Sequence, residues 1–326
     1  MATLEKNEIK KVDSKKVLVI LVLVSTAFIL AALLFNIVFA KNQLDLPLEP
    51  SDWNIELILS LVEMLAVLIL VIVLVITAMD TTTMKFLFIP AFLAAATSIT
   101  SVTLAVIDIY NAQAGLDTSL LLFLSVYATL VLAYIFLGIY TLKKSIAITF
   151  SAIFATLSLG VSIGFNVNKI IFIIQQSAAF KFMLPYLIMV CLNVGLAILI
   201  WSFCAIMPPE TKDKDIIKKN IALNIILSVV TLGVFAVFWV RSISDDIAKL
   251  EGKTVNSCRE AAMFFVVPFY AIFWLYTKGK KTAKLSGDAD MSVLYAVHGL
   301  FLLCFFSLAL MQHQLHVATG LSKPQE

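Results

Sequence analysis

Long apolar segments separated by short polar loops constrain the fold of this chain more than any other feature. A helix needs about 20 apolar residues to cross the hydrocarbon core of a bilayer. Because lipid cannot hydrogen-bond a free backbone N–H or C=O, each crossing segment must be helical. The sequence predicts an all-α, polytopic transmembrane helix bundle of about nine spans: Val17–Ala40, Ile55–Ala78, Phe86–Ile109, Ser119–Leu142, Ile146–Phe165, Phe182–Met207, Ile221–Val240, Ala261–Tyr276 and Val293–Met311.

Composition agrees with a membrane protein and excludes several other classes. Of the 326 residues, 61% are hydrophobic and 14% are charged, whereas soluble domains average about 45–50% and about 25%. The formal net charge of +3 is too small to predict nucleic-acid binding. The chain has no P-loop, HExxH, GxSxG or dinucleotide-binding motif. We therefore predict no enzyme activity, no cofactor and no metal site.

The distribution of lysine predicts the orientation of the chain in the membrane. Cytoplasmic loops are richer in Lys and Arg than external ones. The predicted loop Tyr110–Thr118 contains neither residue type. Lysines are concentrated before the first segment and after the fourth and sixth, at Lys6, Lys10, Lys11, Lys15, Lys16, Lys143, Lys144, Lys212, Lys214, Lys218 and Lys219. This pattern predicts a plasma-membrane protein with a cytoplasmic N-terminus, an uncleaved first helix and, after nine crossings, an external C-terminus.

A charged, proline-containing stretch predicts two domains. Residues 208–219 begin with Pro208-Pro209, which stop a helix, and continue with charges that favour water. We predict a six-helix domain at 1–207, a cytoplasmic linker at 208–219 and a three-span domain at 220–326. The last domain contains an internal repeat, because Phe235–Trp239 matches Tyr270–Trp274 at an offset of 35 residues, and Gly252 matches Gly287 at the same offset.

The repeat leaves a second topology open. Nine crossings place the loop Arg241–Glu260 outside, although it carries Lys249 and Lys253 and therefore violates the charge rule. In the alternative, the repeated units are re-entrant and turn near Thr231–Gly233 and near Pro268. Each arm would then have only about seven to ten apolar residues, so single crossings are the preferred interpretation. A reporter at Gly252 distinguishes the two.

The last third resembles a known family. Thr231-Leu232-Gly233-Val234-Phe235, leading to Trp239, is similar to the core T-L-G-[IV]-[YF]-x-x-[YF]-W of a bacterial integral-membrane domain of unknown function. The second copy, Tyr270–Trp274, and Met311-Gln312 also fit, although Pro268 stands where the first copy has Gly233. The resemblance covers roughly Lys218–His316. It implies a membrane location and brings no activity with it.

A few polar residues in the apolar segments are candidate functional groups. A charge at the bilayer centre costs about 2.5–3.5 kcal/mol, so such residues usually have a role. With the N-terminus inside, the candidates fall in the outer half of the membrane or at its surface: Glu63, Glu56, Asn36, Asp108, Asn166 and Lys169. The simpler interpretation is that Glu56 is interfacial and Asp108 caps a helix, which leaves Glu63 as the unusual group.

Basic residues follow the eighth segment. Lys278, Lys280, Lys281 and Lys284 predict a contact with anionic lipid headgroups.

Three further residue patterns predict how the helices pack. Gly160 and Gly164 form a GxxxG motif typical of close helix contacts. Asn193 lies in mid-span and is expected to bond a neighbouring helix. Trp239 and Trp274 lie at segment ends, where an aromatic belt would place them.

These features favour a non-enzymatic module that binds or scaffolds a membrane or cytoplasmic protein partner within the lipid bilayer. The alternative is a transporter or channel for a small solute or ion that uses the polar cluster around Glu63. An intramembrane enzyme is a third hypothesis. A water-filled cavity that reaches Glu63 would favour transport, and a dry bundle would favour scaffolding.

Overall fold

The structure is a computed structural model that describes residues 2–44, 85–111, 118–143, 145–176, 179–206, 216–231, 233–300 and 303–321, with isolated positions between 62 and 76. All regular structure in these ranges is helical. The chain divides into two compact units, Met1–Pro209 and Glu210–Glu326. Each unit is considered by itself. Most of the predicted linker at 208–219 lies outside the described residues.

The N-terminal unit is built from long apolar helices. They are α1 (Ala2–Leu44), α2 (Phe88–Asn111), α3 (Thr118–Lys143), α4 (Ala147–Ser162), a π-helical turn (Ile163–Val167), α5 (Asn168–Gln175) and α6 (Leu184–Ile206). Five stretches among the described residues are long and apolar enough to cross a bilayer: Lys16–Val38, Lys85–Leu104, Leu121–Lys143, Ala147–Gln175 and Leu184–Ile206. These helices indicate a membrane protein. Most of the predicted segment Ile55–Ala78 lies outside the described residues.

Small residues set the closest helix contacts of this unit. The Ser25 hydroxyl of α1 donates to the Gly195 carbonyl of α6 at 2.6 Å. A Cβ atom at Gly195 would lie 2.7 Å from the Ile29 side chain, so only glycine allows this approach. Gly160 and Gly164, in contrast, have no close neighbour in the described part of the chain. The predicted GxxxG contact is therefore not found there.

The predicted fifth segment is longer than its apolar pattern indicated. A single helical run extends from Ala147 to Gln175, with a π-helical turn in its middle. The prediction ended this segment at Phe165, so that Asn166 and Lys169 followed it. Both lie inside this run, because the polar residues of the stretch share the helix with apolar ones and do not end it.

The C-terminal unit consists of shorter helices. They are α7 (Ile221–Val230), α8 (Val234–Leu250), α9 (Ser257–Val266), α10 (Tyr270–Ser286), α11 (Ser292–Leu300) and α12 (Cys304–Ala318). Each of the last three predicted spans is interrupted between two helices, because α7 ends at Val230, α9 at Val266 and α11 at Leu300, while the next helices begin at Val234, Tyr270 and Cys304. Gly233 and Phe269 adopt left-handed conformations with φ of 88° and 62°. The predicted count of about nine spans is therefore not confirmed.

At each interruption the chain turns back on itself. Glu260 of α9 lies 2.7 Å from Lys278 and 3.2 Å from the Trp274 indole of α10. In one straight helix, residues 18 apart would be separated by about 27 Å. The Tyr295 hydroxyl likewise donates to Gln314 at 3.1 Å.

Lys219, which precedes α7, pairs with Asp246 near the end of α8. We therefore call α7–α8, α9–α10 and α11–α12 the first, second and third hairpins.

The open ends of the three hairpins lie together. Lys281 of the second hairpin bonds Glu251, which follows the first, at 3.1 Å. Thr282 of the second donates to Gln314 of the third at 2.9 Å.

The backbone N–H of Lys219 donates to His316 of the third hairpin at 3.2 Å. Because polar bonds join all three pairs of open ends, the three turns lie at the other end of the unit.

Two tryptophans form the centre of this unit. Trp239 and Trp274 are only 2% and 1% exposed. The Trp274 ring packs edge-on against Phe264, with the ring centroids 5.3 Å apart. The predicted aromatic belt is therefore wrong for both residues, because the hairpins fold these positions into the interior.

We expect the Glu260–Lys278 pair to be required for the second hairpin. Both side chains are largely buried, and removing one member of a buried pair costs about 3–5 kcal/mol. Lys278→Met and Glu260→Gln should each lower the thermal unfolding temperature in detergent. The exposed Lys284→Met is the matched control. The double variant should lose less unfolding temperature than the two single variants lose together, because the same pair is removed in each. A loss equal to that sum would contradict this coupling.

Candidate functional site

A cavity of about 270 Å³ lies inside the N-terminal unit. Its wall is mostly apolar and comes from α1, α3, the π-helical turn and α6. The lining residues are Ala32, Leu33, Asn36, Phe123, Val126, Tyr127, Phe165, Asn166, Pro185, Tyr186, Ile188, Met189 and Leu192. Two amides and two phenols supply the polar groups. Apolar walls with a few oriented polar groups are typical of small-molecule sites.

The π-helical turn brings two of these residues to the cavity. A π-helical turn inserts an extra residue into a helix and is frequently found at functional sites. Here it spans Ile163–Val167, so both Phe165 and Asn166 line the cavity although they are adjacent in sequence. Asn166 is buried, and its amide donates to the Ser162 hydroxyl at 2.8 Å.

A buried polar ladder continues from the cavity into the bundle. The Ser158 hydroxyl donates to the Asn193 side-chain oxygen at 2.6 Å, and the Asn193 amide donates to the Met189 carbonyl at 2.9 Å. The same amide lies 3.4 Å from the Ser162 hydroxyl, which Asn166 also contacts. The predicted interhelical bond of Asn193 is confirmed. Because each of these groups has a protein partner, the ladder fixes α4 against α6.

The structure brings two of the predicted candidates together. Asn36 and Asn166 line the same cavity, although 130 positions separate them in the sequence. Lys169 does not line it; its ammonium lies 5.7 Å from the Phe165 ring centroid.

Three candidates cannot be placed. Glu56 and Glu63 lie outside the described residues, and the side chain of Asp108, in α2, is not described either. The predicted polar cluster around Glu63 therefore stays a prediction.

Two lining residues were not among the predicted candidates. Tyr127 and Tyr186 add phenol groups to the cavity wall, and the Tyr127 hydroxyl lies 3.7 Å from the Met189 sulfur. Tyrosine is common in apolar segments, so neither position differs visibly from a packing residue in the sequence. Only the structure shows that Tyr127 and Tyr186 line the same cavity as Asn36.

The open ends of the hairpins form a second polar cluster. His316 is buried, and its Nε2 accepts the Lys219 backbone N–H at 3.2 Å and lies 3.3 Å from the Gln312 amide. Nε2 must therefore be unprotonated. Burial lowers the pKa of His316, and the nearby charge of Lys219 lowers it further. Burial alone would raise the pKa of Glu251, but the hydrogen bond and charge of Lys281 lower it.

The predicted lipid-binding lysines are not equivalent. Lys278 is buried and paired with Glu260, so it is removed from the predicted surface. Its position 18 residues after Glu260 gave no sign of this pairing before the hairpin was known. Lys280 and Lys284 are exposed, and Lys281 is half-exposed beside Glu251.

His316 should make stability depend on pH. Its pKa is lowered in the folded state, so the unfolded chain binds a proton first as the pH falls below about 6.5. We expect the unfolding temperature in detergent to fall between pH 7 and pH 5. His316→Gln keeps an acceptor for the Lys219 N–H and should flatten this dependence. The exposed His313 provides the control: its charge adds only a smaller part of the lowering of the His316 pKa, so His313→Gln should change the pH dependence less than His316→Gln does. An unchanged profile in His316→Gln would contradict the assignment.

Comparison with known proteins identifies one domain and leaves the function open. A domain of unknown function, DUF4234, is found at residues 219–284. The match begins at Lys219 and covers the first two hairpins, but it stops before the third. It is shorter than the predicted resemblance, which reached His316. No curated protein and no solved structure matches the chain.

Proposed function

We propose that this protein is a non-enzymatic, multi-pass binding module of the plasma membrane, whose cavity holds a small, mostly apolar molecule that carries a hydrogen-bonding group. The observation that supports this proposal is the meeting of Asn36, Asn166, Tyr127 and Tyr186 in one apolar cavity. An amide both donates and accepts, and a phenol does the same. These groups would orient a polar end of the ligand while the apolar wall contacts the rest.

The chemistry of the lining residues favours binding over catalysis. Histidine and carboxylates are the usual general acids and bases, and neither lines the described wall. An amide side chain can position a ligand but has no proton to exchange near neutral pH, and a phenol, although it can act as a general acid, is mostly protonated there and donates its proton weakly. The cavity therefore fits recognition better than proton transfer.

The polar ladder favours binding over transport. A path for a polar solute requires groups that can exchange their partners with the solute. Ser158, Ser162 and Asn193 bond one another or the backbone of the described residues. Their arrangement supports a fixed wall behind the cavity. Since Asn36 lies near the C-terminal end of α1, a cytoplasmic N-terminus would place the cavity in the outer half of the membrane.

Photocrosslinking from the cavity wall tests the binding proposal. Benzoylphenylalanine at Phe123, inside the cavity, should capture a discrete molecule that mass spectrometry detects after purification from native membranes. The same probe at the exposed Phe172 should capture bulk phospholipid. Asn36→Leu and Ala32→Phe, which remove a polar group and fill space, should abolish the Phe123 adduct. Identical phospholipid adducts at both positions would refute the proposal.

We also propose that the exposed lysines of α10 contact anionic lipid headgroups. Each Lys near an anionic surface contributes about 1 kcal/mol. In nanodiscs that contain phosphatidylglycerol, Lys280→Gln/Lys284→Gln should reduce the lipid retained at low salt, as measured by native mass spectrometry. The buried Lys278 should not take part, so a Lys278→Met protein that remains folded should retain lipid normally. Equal retention by the wild type and the double variant would contradict this contact.

A further inference from the structure

The three turns of the C-terminal unit carry exposed apolar side chains. Phe269, in the second turn, is 80% exposed, and Val230, beside the first, is 73% exposed. Leu300 and Phe306 flank the third turn and are 60% and 58% exposed. No Asp, Glu, Lys or Arg occurs in residues 221–240, 261–277 or 291–312, which include the turns and the adjoining parts of their arms. The turn end of the unit is therefore an apolar surface.

The open ends present the opposite character. Exposed residues there include Lys249, Lys253, Arg259, Lys280 and Lys284. The loop residues 287–291 between the second and third hairpins are exposed as well. Because the polar bonds between hairpins keep the open ends together, the unit has one charged end and one apolar end.

The arms have the length of one leaflet. Helix α7 has 10 residues, and the apolar start of α8 reaches Arg241 after seven more. At 1.5 Å per residue these arms measure about 10–15 Å. Half of the hydrocarbon core is about 15 Å thick. A hairpin of this size can reach the middle of the bilayer but cannot cross it.

Several backbone groups beside the turns have hydrogen-bond partners, as immersion in lipid requires. Non-helical backbone in hydrocarbon must have its polar groups paired or covered. The Phe235 N–H donates to the Thr231 hydroxyl at 2.9 Å, and the Gly233 N–H donates to the Ser228 carbonyl at 2.8 Å. At the third turn, the Leu303 N–H donates to the His298 carbonyl at 2.8 Å.

Phe269 adds an independent indication. Its φ of 62° lies in the left-handed region, where the side chain of a non-glycine residue strains the backbone. Glycine would adopt the same turn without this strain, so the phenylalanine weakens the turn that it occupies. Contact with hydrocarbon would offset that strain, since moving an aromatic side chain from water into an apolar environment is favourable.

We propose that the C-terminal unit is a re-entrant membrane module whose three turns insert into the acyl chains of the cytoplasmic leaflet without crossing it. Its partner surface is lipid hydrocarbon, and its open ends and C-terminus face the cytoplasm. The five candidate spans among the described residues, together with the predicted span Ile55–Ala78, supply the membrane anchor and return the chain to the cytoplasmic side before the linker. This topology also places Arg241, Lys249, Lys253 and Arg259 on the side that the charge rule requires.

Site-directed labelling tests the topology on the full chain. In a background with the four cysteines replaced by serine, single substitutions Lys253→Cys, Asp288→Cys and Thr319→Cys mark the ends of the three hairpins. We expect a membrane-impermeant maleimide to label none of them in intact cells and all three after permeabilisation. Ser51→Cys, in a loop predicted to be external, is the positive control. Labelling of Lys253→Cys and Thr319→Cys from outside, with Asp288→Cys protected, would show three crossings and overturn the proposal.

Spin labels at Phe269 and Val230 identify what covers the turns. In liposomes, we expect collisions with oxygen to exceed collisions with a water-soluble nickel chelate, and the reverse at Lys253. Dominance of the nickel chelate at the turns would place them in water. Low collision rates with both reagents would show that protein covers them. Either outcome overturns insertion into lipid. Variants with wild-type gel-filtration profiles and unfolding temperatures are used, so a folding defect cannot imitate either result.

Discussion

The need to pair every backbone N–H and C=O away from water governs both units of this protein. In the N-terminal unit, long continuous helices meet that need, and even the change to π-helical pairing at Ile163–Val167 leaves the run from Ala147 to Gln175 unbroken. In the C-terminal unit the helices do break. The turn at 231–233 uses the Thr231 hydroxyl, which accepts from Phe235 and donates to the Leu227 carbonyl at 2.6 Å. One side chain thus joins the two arms of a hairpin.

Side-chain charges determine which end of the C-terminal unit is polar. Glu260 holds the second hairpin closed by contacting both Lys278 and Trp274. Glu251 and Lys281 then join the first hairpin to the second, and Lys219 and His316 join the first to the third. Desolvation offsets much of the attraction in a buried pair, so its net contribution to stability is small compared with the loss that follows removal of one member. Here these pairs keep the open ends together, which leaves the apolar turns at the opposite end.

The sequence predicted the N-terminal unit better than the C-terminal one, for a physical reason. Hydropathy measures how apolar a segment is, and five of the predicted spans correspond to helices of spanning length. A 20-residue apolar run that crosses the membrane and one that folds into two short arms have the same composition. Gly233 and Pro268 marked the turns, but a bent helix uses the same residues. Asn36 and Asn166 were recognisable as polar residues in apolar surroundings, whereas Tyr127 and Tyr186 were not. In the sequence, Lys278 does not differ from its exposed neighbours, and only the structure shows that it pairs with Glu260.

The two units show that charge placement and segment length have to be interpreted together. Counting the last three segments as crossings gives the loop between α8 and α9 an external position, although it is as basic as the loops predicted to be cytoplasmic. The hairpins remove that conflict, because a segment that turns back returns its flanking charges to the side from which it entered. The two topologies also place the C-terminus on different sides of the membrane. Three crossings would place it on the side opposite the linker, whereas three hairpins would keep it on the same side as the linker. In this chain, the violation of the charge rule beside Gly233 and Pro268 supports the proposal that these segments turn back within the membrane.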